Sequence, residues 1–248
     1  MKKLLLGNEA IARGAYEAGV RVSSAYPGTP STEINENVAT YPEIYSEWAP
    51  NEKVAVEVAL GAAVSGARSL ACMKHVGLNV AADPFFTATY TGVNAGMVVV
   101  VADDPGMHSS QNEQDTRMLA RASHAPVLDP SNSQECKDFL KLAYEISEKY
   151  DTPVILRVTT RIAHARTLVE LDERVEVPLR EYKRDIKKYV SMPANMIARH
   201  LYVEEREKKL AEDANTLPIN RIEWADRKIG VITSGAAYKY VKGAMPTA

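Results

Sequence analysis

The feature that most constrains this chain is a run of five apolar residues and an alanine at positions 97–102. A run without polar positions is typical of a central strand that is covered by helices on both sides. Shorter apolar or β-branched runs precede and follow it, and longer helical stretches separate them. This alternation predicts an α/β fold, in which helices cover both faces of a parallel sheet.

Glycine, proline, asparagine and aspartate residues mark the changes from strand to helix. Strands are predicted at residues 20–25, 44–48, 69–73, 97–102 and 154–158. Helices are predicted at residues 8–18, 51–67, 79–90 and 133–150, with another beginning at Ser31 and a loop at 74–79. The stretch 133–150 is amphipathic, since Leu140, Ala143 and Ile146 fall on one helical face.

Composition limits the classes of protein to which this chain can belong. Hydrophobic residues make up 46% and charged residues 25%, as in soluble globular proteins, and the net charge of −2 argues against nucleic-acid binding. The longest apolar stretch, residues 93–102, is too short to span a membrane, and Asn8 and Glu9 interrupt the signal-like start. The distant Cys72 and Cys136 exclude an iron–sulfur cluster and a thiolate zinc site. We therefore expect a cytoplasmic protein.

The sequence divides into three predicted parts. Residues 1–163 form the α/β domain, and residues 164–227 form a charged linker with one or two surface helices, because both signs of charge are mixed there. Residues 228–248 are predicted to begin a second α/β domain, with a strand at 228–233 and a helix from Ala236. A single strand–helix unit cannot bury its own faces, so we expect an N-terminal piece of something longer.

Four polar segments are predicted at the carboxyl ends of strands, the edge at which open parallel sheets bind ligands. The first is the turn Tyr-Pro-Gly-Thr-Pro at residues 26–30, where two prolines flank Gly28 and Thr29. The hydroxyls of Thr29, Ser31 and Thr32 and the amides at the following helix start would face a ligand there. An ordinary strand–helix turn with a serine cap explains the same residues equally well.

The second segment is Asn51-Glu52, which opens a helix rich in alanine and glycine. Small residues let this helix pack closely against a neighbouring element, and a carboxylate such as Glu52 is favoured at a helix N-terminus. On composition alone, Glu52 is more often a charge in the cap region than a catalytic residue.

The third and fourth segments carry the remaining candidate side chains. At residues 74–79, Lys74 and His75 could contact a carboxylate or assist proton transfer beside Gly77, although such a pair is usually only solvated. Residues 103–115 form a long polar loop of the kind that binds ligands. Its paired aspartates suggest a metal, but no third ligand at suitable spacing supports one. Together the four segments predict one shared ligand crevice.

These motifs in combination resemble a known enzyme family. The turn at 26–30, Glu52 and its alanine- and glycine-rich helix are similar to the pyrimidine-binding domain of thiamine-diphosphate-dependent 2-oxoacid:ferredoxin oxidoreductases. Residues 74–84 and the fourth segment resemble the alpha subunit of the indolepyruvate branch in particular. The resemblance covers residues 3–165 well and is weaker through the linker and residues 228–240.

The resemblance implies a role for each matching residue. Glu52 matches the glutamate that hydrogen-bonds N1′ of the cofactor's pyrimidine and helps to activate its thiazolium ring. This catalytic and cofactor-binding role needs a buried carboxyl that can share a proton. Thr29 matches the threonine near the substrate and the thiazolium, with Gly28 beside it. Gly77 and Asn79 belong to the segment that passes the aminopyrimidine.

The chain also departs from part of the family. Pyruvate-using members resemble one another in an arginine that follows the strand equivalent to residues 97–102 and holds the substrate carboxylate. This chain has two aspartates there, so a simple pyruvate site is not expected, and Lys74, His75 or His108 would hold the carboxylate. Four apolar residues could line an aryl side chain or could equally belong to the core. They are Phe85, Phe86, Tyr90 and Met107.

Two parts of the family's complete site are absent from these 248 residues. In the family, a second domain with a Gly-Asp-Gly…Asn metal motif holds the diphosphate, and a ferredoxin-like CxxC segment is present as well. The resemblance therefore implies a half-site that is inactive alone and shares thiamine diphosphate with a second domain. Mg²⁺ and 4Fe–4S clusters are expected in the full enzyme and not on this chain.

We hypothesise that the chain is a component of an indolepyruvate, or aryl-2-oxoacid, ferredoxin oxidoreductase of aromatic amino acid catabolism. The reaction would be oxidative decarboxylation to an acyl-CoA, with electrons passed to ferredoxin. The expected partners are a diphosphate-binding domain or subunit, a beta- or gamma-type subunit, ferredoxin and coenzyme A, in a dimer. Two alternatives stay open. One is an oxidoreductase for 2-oxoisovalerate, 2-oxoglutarate or pyruvate, and the other is a non-catalytic binding or assembly subunit with the same fold.

Overall fold

The computed structural model of the chain describes residues 1–224 and 228–245. Its strands are β1 (Lys2–Leu6), β2 (Val22–Ala25), β3 (Tyr45–Trp48), β4 (Ser69–Lys74), β5 (Met97–Asp103), β6 (Val127–Leu128), β7 (Val154–Thr159) and β8 (Arg166–Glu170). Its helices are α1 (Gly7–Glu17), α2 (Thr32–Val38), α3 (Glu52–Val64), α4 (His75–Val80), α5 (Ala82–Thr91), α6 (Thr116–Ala122), α7 (Ser133–Tyr150), α8 (Thr160–His164), α9 (Ile186–Tyr189), α10 (Pro193–Ala214) and α11 (Gly235–Ala244).

Strands β2 to β7 form a six-stranded parallel sheet in the order β3-β2-β4-β5-β7-β6. The predicted sheet is therefore confirmed, and the five predicted strands correspond to β2, β3, β4, β5 and β7. Every residue of β5 is buried, as its apolar run predicts. The short β6 was not predicted, because two residues carry no recognisable pattern.

Helices cover both faces of the sheet, and the residues of β5 divide between the two cores that result. Val98 and Val100 belong to a core formed with α1 and α7, whereas Val99 and Val101 belong to a core formed with α3 and α5. Successive residues of a strand point to opposite faces, which explains this division. Neither face of the central strand meets water, so its sequence contains no polar position until its last residue.

Most predicted helices are confirmed, whereas the predicted loop at residues 74–79 is wrong. Helices α1, α3 and α7 occupy the predicted stretches, and Asn51 caps α3 as expected. Residues 75–80 form the helix α4 rather than a loop. Because Gly77 has no side chain, α4 can pack closely against Glu52, and the glycine is not needed for a turn. No helix in residues 1–224 or 228–245 is long and apolar enough to cross a membrane.

A second, two-stranded sheet pairs β1 antiparallel to β8. This sheet was not predicted, because its strands lie far apart in the sequence and β1 has only one fully buried residue, Leu5. It fastens the first residues of the chain to the segment that leads from the α/β domain into the charged stretch.

The charged stretch contains the surface helices α9 and α10, as predicted. It is also anchored, since α10 packs against α5 and buries Val203 and Arg206. The Arg206 guanidinium donates to Thr89 O at 2.9 Å and to Asp151 O at 3.1 Å. These carbonyls lie at the C-terminal ends of α5 and α7, where a positive charge is favoured.

The strand predicted at residues 228–233 is wrong. These residues form no strand, and Ile229, Val231 and Ile232 are exposed. In the described part of the chain no neighbouring strand pairs with them, and apolar composition alone does not make a strand. The helix predicted after them is present as α11. Residues 225–227 and 246–248 lie outside the described residues, and the division into domains stays a prediction.

Candidate functional site

The four predicted ligand segments meet at the carboxyl edge of the large sheet. Strands β3, β2, β4 and β5 are consecutive neighbours, and each is followed directly by one of the segments. Because these strands are parallel, the segments leave the sheet at the same edge. The topology alone thus places Thr29, Glu52, Lys74 and the loop 104–115 on one side of the molecule.

The turn after β2 is held by its own hydroxyl groups. Ser31 Oγ donates to Gly28 O at 2.8 Å, and Gly28 N donates to Thr32 Oγ1 at 2.9 Å. The peptide bond between Thr29 and Pro30 is cis. Ser31 and Thr32 are therefore occupied within the turn rather than turned towards a ligand. Thr29 is exposed, and its hydroxyl can meet one.

Glu52, the first residue of α3, is only 8% exposed. Its helix start is fixed by Asn51, whose Oδ1 accepts from Val54 N at 3.0 Å. The carboxylate lies against Gly77, where an added Cβ would come within 2.5 Å of Glu52 Oε1. It makes no hydrogen bond or ion pair with any residue that the structure describes. No oxygen of Glu52 is among the fully buried polar atoms that lack a partner, so the carboxylate reaches solvent at this edge and is open to a ligand.

The side of α4 away from Gly77 is bonded to the loop after β5. His75 Nε2 lies 3.0 Å from Asn112 O, and Asn79 Nδ2 donates to Gln114 Oε1 at 3.0 Å. Since a carbonyl oxygen only accepts, this contact places a proton on His75 Nε2. His75 is buried, whereas Asn79 is exposed at the surface. Both residues fasten the loop to α4.

Lys74 lies between the turn and the loop. A Cβ on Gly28 would lie 3.1 Å from Lys74 Cδ, and Lys74 Nζ donates to Ser109 O at 3.1 Å. Arg117 and Arg157 are each paired with an aspartate. Within the described ranges Lys74 has no carboxylate partner, so its charge is available to an anionic ligand.

The two aspartates after β5 are buried anchors. Asp103 accepts from Arg157 Nε at 2.7 Å and from Thr116 N at 3.1 Å. Asp104 accepts from Ser109 N and from Thr160 Oγ1, at 2.8 and 2.7 Å. These bonds occupy the carboxylates and fix the loop to the sheet.

The hydrogen bonds to Asp104 also control its ionisation. Burial raises the pKa of this carboxyl, but the bonds from Ser109, Thr160 and Ser110 outweigh it and hold the pKa well below its usual range. Asp104 is therefore ionised at neutral pH and fully engaged within the protein.

Neither metal ligands nor reactive thiols are grouped at this edge. The described residues contain no cluster of three or more His, Cys, Asp or Glu side chains that could hold a metal ion. Cys72 and Cys136 are buried and unpaired, and burial raises the pKa of both thiols. Neither thiol can act as a nucleophile at neutral pH.

The other predicted ligand contacts are spread more widely. His108 is exposed, and its ring makes no hydrogen bond with a described residue, while Met107 beside it is half exposed. Phe85 is buried in the core, and Tyr90 shares a hydrogen bond with His200 of α10 at 2.8 Å. Phe85 and Tyr90 therefore serve the fold, and Met107 is accessible to a ligand.

A shallow groove of about 340 Å³ lies between α4 and α6. It is lined by His75, Asn79 and residues at the end of the loop and the start of α6. Glu52, Thr29 and Lys74 do not line it. The groove therefore does not contain these three predicted ligand residues.

Two buried polar residues that support the site were missed in the sequence. Asn8 Nδ2 donates to Pro30 O at 2.8 Å and so holds the turn after β2. Arg157 pairs with Asp103 from the neighbouring strand β7. The available signal was a single charged residue inside the apolar run 154–158, because a buried charge requires a partner.

Comparisons with known proteins concern the family and the fold of the chain. Residues 13–220 match the family described as pyruvate flavodoxin/ferredoxin oxidoreductase, thiamine diphosphate-binding. The chain is 50% identical over 98% of its length to the indolepyruvate oxidoreductase subunit IorA of Pyrococcus horikoshii. It is 49% identical, again over 98%, to the subunit of that name from Methanothermobacter marburgensis. The alignments cover 39% and 40% of those proteins, so the chain spans about two fifths of these curated relatives.

A solved structure shows the same fold. It is the 2-oxoglutarate:ferredoxin oxidoreductase from Magnetococcus marinus, with a TM-score of 0.79 over 99% of this chain and 51% of that chain. At 20% identity the likeness concerns the fold alone. The family match and the identity to the two IorA subunits extend over most of the chain. The chain therefore belongs to the pyruvate flavodoxin/ferredoxin oxidoreductase family, in the part described as thiamine-diphosphate-binding.

Proposed function

We propose that this chain is the pyrimidine-binding component of a thiamine-diphosphate-dependent oxidoreductase for an aryl 2-oxoacid such as indolepyruvate. One observation carries the proposal. Glu52 is a nearly buried carboxylate at a helix start, and no residue in the described part of the chain bonds to it. The family's description and the name shared by relatives of about 50% identity support the same activity.

The residues around Glu52 fit an aminopyrimidine ring. Gly77 has no side chain at the point where a Cβ would displace the carboxylate, so Glu52 can keep its position against α4. A carboxyl group can donate to a ring nitrogen or accept from its protonated form. When bound, thiamine diphosphate supplies the carbanion chemistry that decarboxylation of a 2-oxoacid requires. The role of Glu52 is to hold or move a proton at N1′ of the pyrimidine ring. Gly28 borders the same edge as a further proposed cofactor contact, whereas Asn79 lies on the other side of α4 and is engaged by Gln114 of the loop.

Lys74 is the residue whose surroundings best suit the substrate carboxylate. Its ammonium group lies between the turn and the loop and has no carboxylate partner among the described residues. The exposed hydroxyl of Thr29 lies in the same turn. His75 is buried and bonded to the loop, and His108 is exposed. We therefore propose that both histidines lie beside the substrate and that neither binds its carboxylate.

Exposed apolar side chains support a shared site. Tyr26, Trp48, Val80 and Met107 are 39% to 50% exposed and lie in or just after the ends of β2, β3, α4 and β5. An apolar rim around a polar edge is typical of a surface that another protein domain covers. We propose that a second component covers it, holding the diphosphate and Mg²⁺. The assembled enzyme, with its 4Fe–4S clusters, would form an acyl-CoA and reduce ferredoxin.

Calorimetric titration with thiamine diphosphate and Mg²⁺ tests the half-site. We expect no binding to the chain alone and binding after it is co-purified with the component that carries the diphosphate-binding domain. Tight binding by the chain alone would contradict a shared site. A screen of the assembled enzyme with indolepyruvate, 2-oxoisovalerate, 2-oxoglutarate and pyruvate then identifies the oxoacid, and we expect indolepyruvate to have the highest kcat/KM.

Lys74→Met tests the carboxylate contact. We expect the KM for the oxoacid to rise about tenfold or more, since a charged hydrogen bond is lost, with little change in thiamine diphosphate affinity. Lys2→Met is a matched control, because Lys2 is an exposed lysine on β1 that pairs with Glu170. An unchanged KM in the Lys74 variant would remove Lys74 from this role.

A further inference from the structure

Arg157 lies in β7 at the centre of a cluster of three aspartates. Its side chain is buried, and its guanidinium nitrogens lie 2.7 Å from Asp103 Oδ2, 3.2 Å from Asp129 Oδ2 and 3.7 Å from Asp115 Oδ1. The aspartates come from the end of β5, the segment after β6 and the residue before α6. Buried ion pairs add little net stability, but they fix the relative positions of the segments that they join.

Asp103 joins the two ends of the loop 104–115. Its Oδ2 accepts from Arg157 Nε and from Thr116 N, and its Oδ1 accepts from the Thr116 hydroxyl. Asp103 is the last residue of β5, and Thr116 is the first residue of α6. Both ends of the loop are therefore held at the Asp103 carboxylate, and Arg157 of β7 bonds to the same carboxylate.

The loop that is closed in this way touches the proposed substrate site. Ser109 O accepts from Lys74 Nζ at 3.1 Å, and Ser109 Oγ donates to Thr29 O at 3.4 Å. Most of the loop is exposed and has no regular secondary structure. Asp104 holds Ser109 directly, and Asp103 with Arg157 holds the two ends of the loop between which these contacts form.

We propose that Arg157 is a positioning residue for the substrate site. Through Asp103 it holds the loop 104–115 where Lys74 and Thr29 can meet the substrate carboxylate, and this rests on the function proposed above. Without the guanidinium, Asp103 and Asp129 would lose the cation between them, while Asp115 would keep Arg117, and the ends of the loop at Asp103 would shift. No described residue of the cluster or of the loop bonds to Glu52, so we expect cofactor binding at Glu52 not to depend on Arg157.

Arg157→Met removes the charge while keeping an unbranched side chain. In the assembled enzyme we expect the KM for the oxoacid to rise about tenfold, because small displacements of binding groups have large kinetic effects. The Kd for thiamine diphosphate is expected to stay unchanged. Arg157→Lys should recover part of the loss, since it keeps the charge but not the fork that reaches two aspartates.

Arg68→Met is the matched control. Arg68 makes a two-point pair with Glu148, at 2.8 and 2.9 Å, and precedes β4 at the opposite edge of the same sheet. We expect it to lower stability without raising the KM. Asp103→Asn and the double variant with Arg157→Met test the coupling, since residues that act through one contact have non-additive effects.

The ring N–H signal of His75 in NMR spectra reports the loop without any substrate, because His75 is bonded to Asn112 O. A shifted signal in Arg157→Met but not in Arg68→Met, together with the raised KM, supports the proposal. An unshifted signal or an unchanged KM overturns it. If Arg157→Met does not fold, Asp103→Asn takes its place in both measurements. If the wild type turns over no oxoacid, the proposed function fails, while the His75 signal still shows whether Arg157 holds the loop.

Discussion

Two buried glutamates, Glu17 and Glu52, have opposite surroundings. The Glu17 carboxylate accepts from Arg13 Nε and from Asp172 N, both at 2.8 Å, and pairs with Lys137 Nζ at 3.1 Å. It joins α1 and α7 to the charged linker. The Glu52 carboxylate is almost as buried, yet no described residue donates a hydrogen bond to it. Described residues bond to both oxygens of Glu17 and to neither oxygen of Glu52.

This difference separates a structural acid from a functional one. Buried polar groups in native proteins are nearly always satisfied, so Glu17 follows the rule and contributes to stability. Glu52 has no such partner among the described residues, and its carboxylate reaches solvent at the carboxyl edge of a parallel sheet, where ligands bind. The contrast can be tested by making the same change at both positions and measuring both activity and stability.

Glu52→Gln should give the largest effect. The amide cannot share a proton with a ring nitrogen, so we expect turnover of the assembled enzyme to fall about a thousandfold. The free energy of unfolding in urea should change by less than about 0.5 kcal/mol, because no internal bond is lost. If most of the turnover survives, the chain is a non-catalytic assembly subunit.

Glu17→Gln should show the reverse. We expect the free energy of unfolding to fall by about 2 kcal/mol, because the charged hydrogen bonds to Glu17 are weakened and buried Lys137 keeps only the partly exposed Asp172 and Asp138 as charged partners. Turnover measured at a temperature where the variant is folded should match the wild type. An unchanged urea midpoint would mean that the Glu17 cluster contributes nothing to stability, and the contrast with Glu52 would fail.

Gly77→Ala sharpens the comparison by crowding Glu52 without removing it. The added Cβ would lie 2.5 Å from Glu52 Oε1, so we expect a loss of about 1–2 kcal/mol in stability. Calorimetry should also show weaker thiamine diphosphate binding. Gly61→Ala is the control, since nothing lies within 4 Å of its Cβ position. As a mid-helix change it should raise stability by about 0.5 kcal/mol. Equal effects of the two substitutions would contradict the contact.

The smallest effect is expected when the pH is lowered and Asp104 is protonated. Its pKa is lower in the folded chain than in the unfolded chain, so as pH falls the unfolded state takes up the proton first. The stabilisation is complete above about pH 5 and is lost progressively as pH falls through the unfolded pKa of about 3.9 towards the lower folded pKa. Asp104→Asn should reduce the difference in unfolding free energy between pH 5 and pH 3 by about 1 kcal/mol. An identical pH dependence in the variant would show that Asp104 does not anchor the loop.

The sheet and the place of the site were predictable because both follow from local patterns. The apolar run 97–102 predicts the central strand, and polar turns after four strands predict a ligand edge. The positions of Thr29, Glu52 and Lys74 at that edge then follow from parallel topology.

Features that depend on distant partners could not be predicted. β1 pairs with β8, and Arg157 pairs with Asp103, across long stretches of sequence. Residues 228–233 have strand-like composition but no partner strand in the described chain, and composition alone predicted a strand. Gly77 lies in the helix α4, where its missing side chain leaves room for the Glu52 carboxylate. The sequence does not show this contact and therefore predicts a loop at the glycine.

The most direct test is whether Glu52 meets N1′ of the pyrimidine. Calorimetric titration would compare thiamine diphosphate with an analogue in which C–H replaces N1′, on assembled enzyme carrying either wild-type Glu52 or Glu52→Gln. If Glu52 holds N1′, the analogue should bind the wild type about tenfold more weakly, and this difference should disappear in the variant. An equal loss of affinity in both proteins would show that Glu52 and N1′ do not interact.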